Sequence, residues 1–188
     1  RHTVDINWHG QDKKVFANER REVTAYGTAE GTLIEFASLL ESQVGPVKLD
    51  GDPQHAGFQF RSTQHVPDLS RDKTYYLRPD GKGQPGKFRN WPKDKEHVNL
   101  PWNALCIVVD GERYTVCYLD HPANPKESRF SERDYGRFGS YFEYEIDKGK
   151  PLSLRYRIWI QNGEMTVEEV AAQSANFVDP PVAIARRL

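Results

Sequence analysis

The chain of 188 residues carries 26 Lys and Arg against 27 Asp and Glu, a formal net charge of −1 with the basic residues scattered, so it offers no electrostatic footprint for nucleic acid or anionic lipid. Only 37% of its residues are hydrophobic, yet nine Tyr, nine Phe and four Trp supply bulky core material, and no apolar run approaches the roughly 20 residues that a membrane-spanning helix needs. Two cysteines are too few for a disulfide scaffold and are not spaced as a zinc site, and the length suits one domain over residues 1–188.

Arg1 to Asp12 shows little periodicity and reads as an irregular arm leading into the first strand. Phe16 to Tyr26 reads as a long polar strand closed by Gly27. Thr32 to Leu40 follows as a strand with apolar residues on both faces, Ile34, Phe36 and Leu40 on one and Leu33, Ala37 and Leu39 on the other. Gly45-Pro46 and Asp50-Gly51-Asp52-Pro53 are turns. In the strand from Ala56 to Ser62, Phe58 and Phe60 alternate with Gln59 and Arg61, and His55 shares the polar parity. The row His55, Gln59, Arg61 could line a cleft, or be a solvated outer face. After a short strand, Lys73 to Leu77, comes the longest loop, Arg78 to Val98. Loops of more than about 12 to 15 residues tend to be functional covers or disordered, and Phe88 and Trp91 suggest that part of this one packs down.

Ala104 to Val109 and Tyr114 to Leu119 form a β-hairpin around Asp110-Gly111, with Cys106, Val108, Thr115, Cys117 and Leu119 on one face. A two-residue turn at Gly111-Glu112 would place Cys106 opposite Cys117 and allow a cross-strand disulfide; otherwise both are buried free thiols. Gly139 to Ile146 and Leu152 to Gln161 read as a second hairpin across Asp147 to Lys150, the latter strand with Leu152, Leu154, Tyr156, Ile158 and Ile160 on its buried side. Thr166-Val-Glu-Glu169 is a capping box, which starts one short helix to about Ser174, and Asp179-Pro180-Pro181 releases an extended tail. With about eight to ten strands and no βαβ alternation, the fold class is all-β, an antiparallel β-sandwich with one short C-terminal helix.

His121, in Asp120-His121-Pro122 at a strand end, has the chemistry of a general acid or base beside a carboxylate, or is a surface His in a proline-capped turn. Arg133, Asp134 and Tyr135 add a guanidinium, a carboxylate and a phenol suited to hydroxyl-rich ligands such as sugars; Arg133 and Asp134 could equally be an internal ion pair. Metal binding by His55, Asp120 and His121 has only residue type behind it, so no metal or other cofactor is expected. Nucleotide-binding, serine-hydrolase and zincin motifs are absent. The expected function is therefore a site that acts on or binds a carbohydrate, with His55 and His121 catalytic and Gln59, Arg61, Asp120, Arg133 and Tyr135 binding substrate. Its alternative is a non-catalytic glycan-binding or structural sandwich.

The run NLPWNA, the hairpin, LDHPANP, SERDYGRFGSYF and DGDPQHAGFQFR together resemble the bacterial family named methane oxygenase PmoA, over about Glu22 to Gln161. A His-rich segment of HPHHRG type that precedes this part in the family pattern has no counterpart here, so the chain reads as a shortened member or the downstream part of a longer protein. The resemblance implies a galactose-mutarotase-like sandwich with a site on its concave sheet. It also implies a secreted or periplasmic location in bacteria that degrade polysaccharides.

Overall fold

The computed structural model describes residues 1–180. The tail expected beyond Asp179-Pro180 therefore lies almost wholly outside the described residues. Its strands are β1 (His2–His9), β2 (Val15–Gly27), β3 (Gly31–Ser42), β4 (Val47–Leu49), β5 (Phe58–Arg61), β6 (Tyr75–Arg78), β7 (Gly81–Lys82), β8 (Trp102–Val109), β9 (Glu112–Asp120), β10 (Arg129–Glu132), β11 (Arg137–Tyr141), β12 (Tyr144–Ile146) and β13 (Leu152–Asn162). One α-helix, α1 (Val167–Val178), follows. The fold is all-β and sandwich-like, as expected. An eight-stranded antiparallel sheet runs in the order β1-β2-β3-β13-β9-β8-β6-β7, opposed by a three-stranded sheet β10-β11-β5 and a short ribbon β12-β4. The galactose-mutarotase likeness is a finer statement that these features do not carry.

Side-chain alternation divides the large sheet into two working faces. On one, Tyr76, Leu105, Ile107, Val116, Tyr118, Tyr156 and Ile158 meet Phe130 and Phe138 of the small sheet, with Phe58 and Phe60 packed against them. On the other, Leu77, Trp102, Ala104, Cys106, Cys117, Leu119 and Trp159 pack with Met165 and Val170, so α1 covers that side. Strands β8 and β9 are thus apolar on both faces because both faces are covered. The helix is started by the predicted capping box, Thr166 and Glu169 each accepting from the other's backbone N–H. It runs one turn past Ser174 because Phe177 still packs against the sheet.

The central hairpin turns at Asp110-Gly111, with φ values of +50° and +86° at the two positions as a type I′ turn requires. That register sets Cys106 opposite Thr115 and Ala104 opposite Cys117, and both cysteines are free and buried. Two other expectations are corrected. Arg1 to Asp12 is no irregular arm: β1 pairs with β2 from His2↔Val23 to His9↔Val15. The second hairpin does not form either, since β11 joins the small sheet, β12 pairs with β4, and β13 lies between β3 and β9 at the centre of the large sheet. A strand with the apolar row of β13 gains more from two covered neighbours than from its sequence-adjacent partner.

The long loop is tied down. Asn90 and Val98 form bridges to Ser131 and Arg129, Phe88 packs edge-on to Tyr76, and the Arg129 guanidinium lies 4.2 Å from the Trp91 ring centre. At its root, Glu132 is fully buried and accepts from Arg78 Nε at 2.7 Å, Arg78 Nη2 at 2.5 Å, Asn103 Nδ2 at 2.9 Å and the Arg89 backbone N–H at 2.9 Å.

Candidate functional site

The small sheet covers the large one from β3 towards β6 but leaves the β1–β2 end of the same face open. The β4/β12 ribbon closes one end of this opening by packing Leu49 and Ile146 on Ala17, Leu40 and Leu152. What remains is a cleft of about 670 Å³. Its floor comes from Trp8, Glu19, Arg21, Phe36, Ser38 and Tyr156, and its rim from Lys48, Asp50, His55, Gln59 and Tyr141.

Buried Glu19 organises the floor. Its carboxylate accepts from Arg21 Nε at 2.8 Å and Nη2 at 2.9 Å, from Ser38 Oγ at 2.8 Å and from Trp8 Nε1 at 3.1 Å. Four donors fill the carboxylate's capacity, so Glu19 holds other groups rather than reaching for a ligand. Burial works against its ionisation, but the bonds from Arg21 and Ser38 outweigh that and hold it below the ordinary carboxylate range. With its N–H fixed, Trp8, 38% exposed as a residue, stands as an aromatic platform braced edge-on by Phe16. Arg21 in turn lies over the Phe36 ring.

The rim is built from the turn at Asp50 to Ala56. Asp52 Oδ1 accepts the Gln54 N–H at 2.7 Å and its Oδ2 lies 3.0 Å from His55 Nδ1, which leaves Nε2 as the free ring nitrogen. Lys48 Nζ stands 2.8 Å from Asp50 Oδ2, and Tyr141 donates to Asp50 Oδ1 at 2.9 Å. These bonds, Lys48 first and Tyr141 next, hold the Asp50 carboxyl down to about 2. Gln59 donates to the Ala56 carbonyl, and its Oε1 has no partner.

Of the expected site residues, the cleft gathers His55 and Gln59. Arg61 lies outside it with its guanidinium 5.6 Å from the Tyr135 ring centre. Arg133 donates to Asn90 Oδ1 at 2.8 Å, while Asp134 pairs with Arg71, so the two do not form an ion pair together. His121 is on the other face of the large sheet. It lines a separate groove of about 280 Å³ with Glu35, Ala37, Arg155 and Arg157, and its ring packs edge-on against Phe177. Burial and the nearby Arg155 keep its pKa below the usual histidine value.

Strand alternation sends Asp120 to the face opposite His121, where it is buried and accepts from Asn124 at 2.7 Å, Ser128 at 2.8 Å and Lys126 at 3.1 Å. Asn124 also bonds both the N–H and the carbonyl of Arg155, which makes the DHPANP loop an extra partner for the end of β13. The premise that His55 and His121 share a hollow therefore does not hold in this fold. The residues that sequence reasoning missed, Trp8, Glu19 and Arg21, had one legible signal: Val4, Ile6 and Trp8 alternate at the period of a strand.

Among the described residues no helix is long and apolar enough to cross a membrane, and no group of three or more His, Cys, Asp or Glu could hold a metal ion. No curated protein matches the chain. The resemblance to the methane oxygenase PmoA family is overturned, because the matching family model is a different one; the expectations of mutarotase kinship and export that rested on it lose that support. That model is described as a family of unknown function, DUF6807, and it matches residues 1–175, so the chain belongs to this family.

Proposed function

We propose that the cleft over β1–β3 binds a small hydroxyl-rich ligand, a saccharide, by stacking it on Trp8. The observation that carries this is the Glu19 bond to Trp8 Nε1, which pre-orients an exposed indole over a floor otherwise made of Phe36, Tyr156 and polar groups. Sugar rings present apolar C–H faces edged by hydroxyls, so an apolar platform ringed by acceptors and donors suits both parts of such a ligand. The Asp50 and Asp52 carboxylates at the rim, both exposed and held below the ordinary carboxylate range, accept hydroxyl hydrogens. His55 Nε2 is the acid–base group within reach of a ligand there.

Isothermal titration calorimetry of the intact chain against a panel of neutral and acidic mono- and oligosaccharides tests the reading. At least one sugar should bind, and Trp8→Ala should weaken it on the order of tenfold, about 1.4 kcal/mol, as befits loss of one stacked aromatic. A panel with no binder, or binding that survives Trp8→Ala unchanged, refutes it.

A further inference from the structure

The charges around the cleft are matched one to one. Among the described residues three cation-forming side chains line it, Arg21, Lys48 and His55, and each has its own carboxylate: Glu19 at 2.8 Å, Asp50 at 2.8 Å and Asp52 at 3.0 Å. Arg21 gives Nε and Nη2 to Glu19 in the bidentate geometry that commits a guanidinium to one carboxylate. Glu19 and Asp50 are held below the ordinary carboxylate range by these contacts, although burial opposes this at Glu19, and Asp52 is held there by the Gln54 N–H first and His55 next, so they stay charged at neutral pH. Glu143, which also accepts from Tyr141 at 3.1 Å, is matched in the same way, with Arg129 Nη1 2.6 Å from its Oε1. Whether or not His55 carries a proton, among the described residues the lining presents no unpaired positive charge.

Recognition of a carboxylate, sulfate or phosphate uses cations with donors to spare, above all Arg in an open fork. Here the one guanidinium of the lining has its Nε–Nη2 edge taken by Glu19, and Lys48 and His55 each stand against a carboxylate. The groups left free carry no net positive charge: the Trp8 and Phe36 rings, the Nε2 of His55, whose ring stands against Asp52, and the outer lone pairs of the rim carboxylates. We infer that the cleft selects uncharged saccharides and rejects those bearing a carboxylate, sulfate or phosphate. This rests on the saccharide reading above and names the class of sugar within it.

The experiment pairs each neutral hexoside that binds with the hexuronate of the same configuration and linkage, titrated at pH 7 and low ionic strength, where exposed charges act at longest range. The neutral sugar should bind at least about tenfold more tightly than its uronate. In the double variant Asp50→Asn, Asp52→Asn, which frees Lys48 and His55, the gap should narrow; both residues are exposed, and an unchanged melting temperature confirms the fold. A uronate that matches or exceeds its neutral partner in the wild-type chain overturns the inference while leaving the saccharide reading standing. A gap unaltered in the variant also overturns it, because discrimination would then not come from these charges. If neither member of any pair binds, the saccharide reading itself fails, and this inference with it.

Discussion

Replacing Glu132 with Gln should cost the fold 3–5 kcal/mol, the roughly expected loss on breaking a buried ion pair from one side. The substitution keeps the side chain's size but leaves the Arg78 guanidinium, itself almost fully buried, without a counter-charge. A second route gives a similar magnitude. Burial opposes ionisation of Glu132, but His97, whose Nε2 stands 3.3 Å from Oε1, and Arg78 outweigh it and hold the carboxyl down to about 2, against 4.5 for a free glutamate. Through linkage that difference is worth about 3 kcal/mol. Because the folded value is the lower one, this stability is present in full above about pH 4.5 and drains away as the pH falls from there towards about 2.

Urea unfolding at pH 7 followed by circular dichroism is the assay; with a slope on the order of 2 kcal/mol per molar, the midpoint should drop by roughly 1.5–2.5 M. Loop 84–98 should also become open to proteolysis, because the Arg89 N–H and the Lys87 carbonyl bond to this pair. The apolar double variant Arg78→Met, Glu132→Leu should recover part of the loss, held back by about 1–3 kcal/mol because Arg89 N–H and the Asn103 amide lose their acceptor. A Glu132→Gln loss under about 1 kcal/mol, or stability flat between pH 7 and 3, would refute the reasoning.

Two further outcomes follow from the same packing. Cys106 and Cys117 are buried, and desolvation pushes the Cys106 thiol up to about 11 and that of Cys117 higher still, so neither should react with an aromatic disulfide reagent until the chain is unfolded in urea; prompt labelling of the native protein would contradict the observed register. Thr166→Ala removes one side of the capping box and should cost about 1 kcal/mol, read as a shift in the same urea midpoint, while Thr166→Ser should stay near wild type.

What could be read without coordinates was whatever a short stretch of chain settles for itself. The Asp110-Gly111 turn, the alternation of Phe58 to Arg61, the apolar row of β13 and the Thr166 capping box are local, because dihedral preference and side-chain period act over a few residues. The same locality explains why Asp120 and His121 read as one site: neighbours in sequence at a strand end face opposite sides of a sheet, and only the assembled sheet says which side is a cleft and which is covered by a helix. The cleft itself draws Trp8 and Glu19 from the first two strands, Ser38 from the third, Asp50 and His55 from a turn, and Tyr141 from the small sheet. Each is unremarkable in its own window. The tertiary fold decided the site, since it left one end of the large sheet uncovered and placed a filled carboxylate beneath the indole exposed there. Long-range strand pairing sets those distances, and no periodicity in the chain encodes them.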